Sequence, residues 1–292
     1  MMELALRRRF FAEEIEAVAR LRSPALVDAL AAVPRERFLP PGPWTVLADA
    51  DITGMAPAKT RQTADADPAR VYHNIGVAID PERQLFNGQP ATLAPWIDAL
   101  ELAPGRRILH VGAGLGYYTA VMAQVVGEGG RVLALEADEA LAAQGGRNLA
   151  SMPWVEVRAD ASAQPSGETF DAILVNAGVT HPLDAWLDAL APDGRMILPM
   201  TASMPPMGNI GKGLVFLVGR DGDEAFSARV AGFVAVYSAV GIRDEFLNAQ
   251  LAKKLQAGPQ QWSAVTRLRR DPHDPSLSCW LHAPHFCLST AE

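Results

Sequence analysis

The sequence predicts an α/β fold: a doubly wound, Rossmann-like sheet with helices on both faces, an N-terminal helical and irregular cap, and a C-terminal extension. Three observations carry this expectation. A short apolar run, Ile108 to Val111, is followed by glycines at 112, 114 and 116 and then by a helical stretch, Tyr117 to Val126. Strand, tight glycine turn and helix open a nucleotide-type site. Two further strand-like runs, Gly130 to Glu136 and Val155 to Asp160, each end in an acid. The chain has 292 residues, 49% hydrophobic and 20% charged, enough for one large domain with an appended piece. The segments read as 1–90, helices and a cap over the site; 91–240, the sheet domain; and 241–292, the extension. A net charge of −7 disfavours nucleic acid, whose binders present a basic footprint. No run approaches the roughly 18 apolar residues of a membrane span, so no membrane contact is expected and the cytoplasm is the expected location.

The glycine spacing selects the ligand. A dinucleotide fingerprint wants its third glycine at position 117, which is Tyr. A phosphate-binding loop wants Gly-Lys-Ser/Thr, which is absent. The G-x-G-x-G form is the one that S-adenosylmethionine-dependent methyltransferases carry. The expected cofactor contacts are Gly112, Ala113, Gly114, Gly116 and Tyr117 along the turn. Glu136, with Ala137 beside it, stands twenty residues after Gly116, where a carboxylate can accept both ribose hydroxyls. Asp160, with Ala161, is placed to accept from the adenine amino group. Asn176 joins the cofactor set at the tip of a fourth strand, 172–175. Thr180 and His181 share that tip, where such domains put substrate-facing groups.

The elements follow in order. Residues 4–21 have Leu6, Phe10, Ile15, Val18 and Leu21 near a 3.6 period and predict an amphipathic helix. Ser23-Pro24 is a cap and first-turn proline for a helix that Pro34 ends. Residues 34–70 show few periodic segments and read as an irregular cap or lid. Residues 72–80 predict a strand and 92–102 a helix with Leu93, Trp96, Ile97 and Leu100 inward. Beyond the fourth strand come a helix over 183–190, a fifth strand over 195–199 and a loop over 200–213. Residues 214–219 and 231–236 form an antiparallel pair through a turn at Asp221-Gly222-Asp223.

Several collinear motifs carry a family resemblance: Val-Pro-Arg-x-x-Phe-Leu-Pro (33–40), Asn-Gly-Gln-Pro (87–90), Leu-x-Pro-Gly-x-x-Ile-Leu (102–109), Val-Gly-Ala-Gly-Leu-Gly-Tyr-x-Thr-Ala (111–120), Gly-Arg-Val-Leu-Ala-Leu-Glu (130–136) and Phe-Asp-Ala-Ile-Leu-Val-x-Ala (170–177). Over roughly residues 33–240 the chain resembles the protein-L-isoaspartate O-methyltransferase family. The resemblance implies S-adenosylmethionine as cofactor and a carboxylate of a protein or peptide as methyl acceptor. Two positions depart from the family pattern. Its functional hydroxyl falls at position 88, which is Gly, and its acid before the glycine turn falls at His110. Asn87 and Gln89 become the candidate catalytic residues, orienting the acceptor in place of the missing hydroxyl. Two other readings stay open: a small-molecule or modified-peptide acceptor, and a degenerate S-adenosylmethionine-binding module.

The extension predicts a helix over 244–255 and two strands, 264–268 and 278–288. Cys279, His282, His285 and Cys287 raise the question of a metal. In one continuous strand His282 would oppose the other three, and the spacing matches no standard zinc framework. The expectation is therefore no metal and an ordinary strand packed through Trp280 and Phe286.

Overall fold

The structure is a computed structural model and describes residues 3–48, 59–165, 167–203, 208–222 and 225–291. It is α/β, as expected, and the chain forms two compact units: Met1–Arg106 with Ala113–Ala159, and Arg107–Gly112 with Asp160–Glu292.

The first unit begins with α1 (Leu4–Ala19) and α2 (Pro24–Ala32). α1 buries Phe11, Ala12 and Ile15 and leaves Leu6, Phe10 and Val18 about half exposed or more, at 49, 55 and 60%. This corrects the expected apolar face. Only a narrow stripe meets the neighbouring helices, and Phe10 stands about 100° round the axis from Phe11. Ser23 caps α2 as predicted, its Oγ accepting from the Leu26 amide at 3.3 Å. Asp98 of α3 (Pro90–Ala99) ties down the junction by accepting from the Arg22 and Ser23 amides at 3.1 and 2.9 Å.

Residues 34–70 are less irregular than their composition suggests. They hold two single 3₁₀ turns, Arg35–Phe38 and Pro68–Val71, and the strands β1 (Thr45–Leu47) and β2 (Arg61–Gln62). With β3 (Gly76–Asp80) and β4 (Leu85–Phe86) these form a small antiparallel sheet in the order β2-β1-β3-β4. Strands of two or three residues are too short to show a period. Part of the expected lid, 49–58, lies outside the described residues.

After β5 (Arg107–Val111), which belongs to the second unit, the first unit continues with α4 (Tyr117–Val126), β6 (Arg131–Glu136), α5 (Glu139–Asn148) and β7 (Val155–Ala159). β6 and β7 pair in parallel. Residues 139–148 lack a strongly apolar period, yet Asp138 caps α5, accepting from the Leu141 amide at 2.9 Å.

The second unit pairs β5, β8 (Phe170–Val175) and β9 (Leu190–Ala202) in parallel, with α6 (Asp184–Ala189) before β9. β10 (Ile210–Asp221) and β11 (Ala225–Tyr237) continue the sheet as the predicted hairpin, with longer strands than 214–219 and 231–236. α7 (Glu245–Gln256) and a single turn, α8 (Pro259–Trp262), follow. β12 (Arg267–Arg269) adds to β11, and β13 (Cys279–Ala283) with β14 (Phe286–Ser289) completes the edge. The expected single strand over 278–288 is thus a hairpin that turns at 284–285. Around these strands Ile173, Trp186, Phe216 and Leu281 are fully buried. Among the described residues no helix is long and apolar enough to cross a membrane.

Candidate active site

In the first unit the glycine turn closes on the acid at the end of β6. The Gly114 amide donates to Glu136 Oε2 at 2.7 Å, and the Asp138 amide to Glu136 Oε1 at 3.1 Å. A carboxylate has about four acceptor sites, so these two bonds leave capacity for a diol. Gly116 caps α4 at φ +93°, and a Cβ there would lie 2.7 Å from Leu149 Cδ1. No larger residue fits without strain in both backbone and packing. Tyr117, by contrast, is 3% exposed and packs against Phe38 and Tyr118, with the Arg35 guanidinium 5.7 Å from its ring centre. Burial pushes its hydroxyl up to about 12. Ala113 is buried beside the turn, its amide on the Leu135 carbonyl at 3.3 Å, and Ala137 lies between Glu136 and Asp138, whose amide donates to the Glu136 carboxylate.

In the second unit Gly112 and Asn176 meet. Asn176 Nδ2 donates to the Gly112 carbonyl at 3.3 Å, and a Cβ on Gly112, already at φ +79°, would stand 3.0 Å from the Asn176 carbonyl. Asp160 forms an Asx turn, its Oδ1 accepting from the Ser162 amide at 2.8 Å and the Ser162 hydroxyl at 2.5 Å. Burial works against the Asp160 charge, but the Ser162 hydroxyl and the surrounding amides hold its carboxyl below the usual range. Ala161 is exposed next to it. Thr180 is fully buried, its hydroxyl accepting from the Asp244 amide at 3.0 Å and lying 2.9 Å from His181 Nδ1. That makes Thr180 a structural link. Burial, only partly opposed by Asp244 and Asp184, lowers the His181 pKa and keeps that imidazole neutral.

The 87–90 motif is built in the first unit around Asn87. Its Oδ1 accepts from the Val77 amide at 2.9 Å and from Arg35 Nη2 at 3.2 Å. Two donors on one atom fix the amide orientation and leave Nδ2 buried without a partner. Gln89 is 5% exposed, its Nε2 3.4 Å from the Leu47 carbonyl and its Oε1 unpartnered. The Gly88 carbonyl accepts from the Tyr118 hydroxyl at 2.6 Å.

Comparison with known proteins decides between ligand classes. The family model for protein-L-isoaspartate(D-aspartate) O-methyltransferase matches residues 58–212. A Methylorubrum populi protein-L-isoaspartate O-methyltransferase is 32% identical over 235 residues, covering 78% of this chain and 94% of its own. The chain belongs to this family. A Rhodopseudomonas palustris protein-L-isoaspartate O-methyltransferase 1 is 33% identical, covering 68% of this chain and 70% of its own. Among solved structures, a protein-L-isoaspartate O-methyltransferase aligns with TM-score 0.59 at 22% identity over 85% of this chain and 71% of its own. A Plasmodium falciparum chain described as the same enzyme, in complex with S-adenosyl-L-homocysteine, aligns with TM-score 0.58 at 17% identity, covering 80% and 97%. At those identities the structures confirm the fold. The family makes this chain an S-adenosylmethionine-dependent methyltransferase.

Within the isoaspartyl methyltransferase family pattern, both departures have structural consequences. His110 is completely buried in β5, and burial drives its pKa down to about 3. It is a neutral side chain at pH 7 and cannot take the part of an anion. At Gly88 a Cβ would fall 2.3 Å from Leu93 Cδ2 and 2.8 Å from Leu93 Cγ, and Leu93 is buried. A side chain at position 88 therefore requires the Leu93 side chain to shift. Gly88→Ser is expected to cost about 1–3 kcal/mol by overpacking. The same change in a Leu93→Ala background should cost less, which paired denaturation curves will read as a coupling energy.

Two arginines escaped the sequence reading. Arg35 is fully buried and donates to the carbonyls of Val71, His73 and Ile75 at 2.7, 3.1 and 2.6 Å besides Asn87. Arg243 donates to the Gly178 and Thr201 carbonyls at 2.7 and 2.8 Å and to Asn248 Oδ1 at 2.7 Å, so the start of the extension is tied to the chain after β8. The Val-Pro-Arg motif pointed at the first, but nothing local shows that three partners lie about forty residues away.

Proposed function

We propose that this enzyme transfers a methyl group to a carboxylate of a protein or peptide acceptor, with Asn87 as the group that orients it. The observation that carries this reading is the Asn87 amide: its oxygen is held by two donors, so its unpartnered Nδ2 offers N–H bonds to an acceptor oxygen. Gln89, beside it in the motif, supports the same end.

The residues fit S-adenosylmethionine: bare backbone at Gly112, Gly114 and Gly116, a carboxylate with spare acceptor capacity at Glu136, and charge favoured at Asp160. Bound there, it supplies an activated methyl on a sulfonium. In this reading Glu136 takes the ribose hydroxyls, with Ala137 alongside. By motif order Asp160 and Ala161 take the adenine edge, Ala113 and Tyr117 contribute backbone to the glycine turn, and Asn176 stands beside Gly112. An acceptor carboxylate is ionised at neutral pH and needs no base, so the chain's remaining task is to hold it in line. The same proposal places the enzyme in the cytoplasm, away from nucleic acid and membrane. The acidic net charge supports the absence of nucleic acid.

Gly88 favours a second reading, an acceptor other than an isoaspartyl residue: a small molecule or a modified peptide. Labelled-methyl transfer to an isoaspartyl peptide, run beside its aspartyl twin, separates the two. Selective, base-labile label on the isoaspartyl peptide is the expected result. Label on neither, with cofactor bound, would move the search to other acceptors, and transfer to no acceptor at all would leave a cofactor-binding module. Asn87→Asp keeps the acceptor oxygen for Val77 and Arg35 but removes the Nδ2 donor. It is expected to lower kcat/KM by roughly 10–100-fold, the worth of a hydrogen bond to a charged group. An unchanged kcat/KM would remove Asn87 from the mechanism.

A further inference from the structure

The β13–β14 hairpin gathers four side chains that the methyltransferase site does not use. His273, Cys279, His282 and Cys287 each bring one ligand atom, and these atoms all lie within 4.8 Å of one another. His282 is paired across the hairpin with Cys287, while a bulge lies between Cys279 and Leu281. In a regular strand residues three apart point to opposite faces; the extra residue of a bulge brings Cys279 and His282 into phase. His273 arrives from the loop after β12, and its Nε2 is 3.6 Å from Cys279 Sγ. His285, at the turn, is not in the cluster.

We propose that His273, Cys279, His282 and Cys287 form a structural zinc site. Two thiolates and two imidazoles are the tetrahedral donor set that favours Zn²⁺. Zinc–sulfur and zinc–nitrogen bonds of about 2.3 and 2.0 Å place tetrahedral ligands roughly 3.3–3.8 Å apart, so atoms within 4.8 Å of one another need to close by about 1.5 Å at most. The supporting contacts are those a metal site needs. His273 Nδ1 lies 2.7 Å from the Asp271 carbonyl, which fixes the tautomer that leaves Nε2 its lone pair. The Ser276 amide donates to Cys279 Sγ at 3.3 Å, as amides do to metal-bound thiolates. His282 Nδ1 is buried without a hydrogen-bond partner, a desolvated nitrogen that a metal would satisfy. The bound ion staples the loop 270–278 to the hairpin, and binding releases the two thiol protons.

The untagged full chain, purified reduced and without chelator, is expected to carry about one zinc by elemental analysis. Co²⁺ added after chelation should give the intense d–d bands of a tetrahedral thiolate complex. Both cysteines of the chain lie in this cluster, so a two-thiolate spectrum identifies the site without any variant. His273→Ala should abolish that spectrum and lower Tm, while His285→Ala should retain it. Absence of zinc together with absence of the Co²⁺ spectrum in the wild-type chain would overturn the proposal. So would a Cys279–Cys287 disulfide found by thiol counting under reducing conditions, or equal metal loss in His285→Ala.

Discussion

Arg35→Met is expected to be among the most destabilising single substitutions in the chain, by about 3–5 kcal/mol. The guanidinium is fully buried and satisfies three backbone carbonyls, those of Val71, His73 and Ile75, together with Asn87 Oδ1. Met fills a similar volume but donates nothing, so the Val71 and Ile75 carbonyls stay buried with bonds missing, at about 1–3 kcal/mol each before relaxation. Lys would not restore them, since a point charge cannot span acceptors spread around a planar fork. Against a typical stability of about 5–15 kcal/mol the loss is a large fraction. Urea denaturation of the two proteins will measure it. Turnover should fall as well, because Asn87 loses one of the two donors that fix its amide. A loss below about 1 kcal/mol would mean that the 71–75 carbonyls find other partners and that Arg35 is no hub.

Glu136→Gln is expected to weaken S-adenosylmethionine binding by roughly 10–100-fold, measured by calorimetry. Both carboxylate oxygens already accept from backbone amides, Oε2 from Gly114 and Oε1 from Asp138. Gln is isosteric but turns one acceptor into a donor. In either orientation its NH₂ faces a backbone N–H, so the turn shifts and a ribose hydroxyl loses a charged acceptor. The thermal transition should drop by only a few degrees, since the group is half-buried and water can enter. The signature of a cofactor role is thus a large change in Kd beside a small one in Tm. Unchanged Kd would assign Glu136 to the turn alone.

How far the sequence could be read followed the range of the interactions involved. Ser23, Gly116 and Asp244 mark helix starts through contacts within four residues, and each helix they announce is present. Asp138 carries the same signal for α5, which periodicity alone missed because its one weakly apolar face is mostly alanine and glycine. The strands of 34–70 were invisible because two or three residues cannot express a period. The edge hairpin was misread because Pro284-His285 breaks an apolar run that composition alone joins into one strand. That single strand set His282 opposite Cys279, His285 and Cys287, whereas the structure groups Cys279, His282 and Cys287 with His273.

The glycine turn, the strand tips that carry Glu136 and Asp160, and with them the cofactor class and family, are legible in the residues alone. These are set by contiguous residues whose backbone conformation admits few alternatives, as the positive φ of Gly112, Gly114 and Gly116 shows. Long-range packing alone makes His110 neutral, sets Leu93 where a side chain at position 88 would go, holds Asn87 through Arg35, and brings His273 to Cys279. Each of these depends on what long-range packing brings alongside. Burial sets charge state, a neighbour's methyl group sets available space, and a strand bulge sets which side chains share a face.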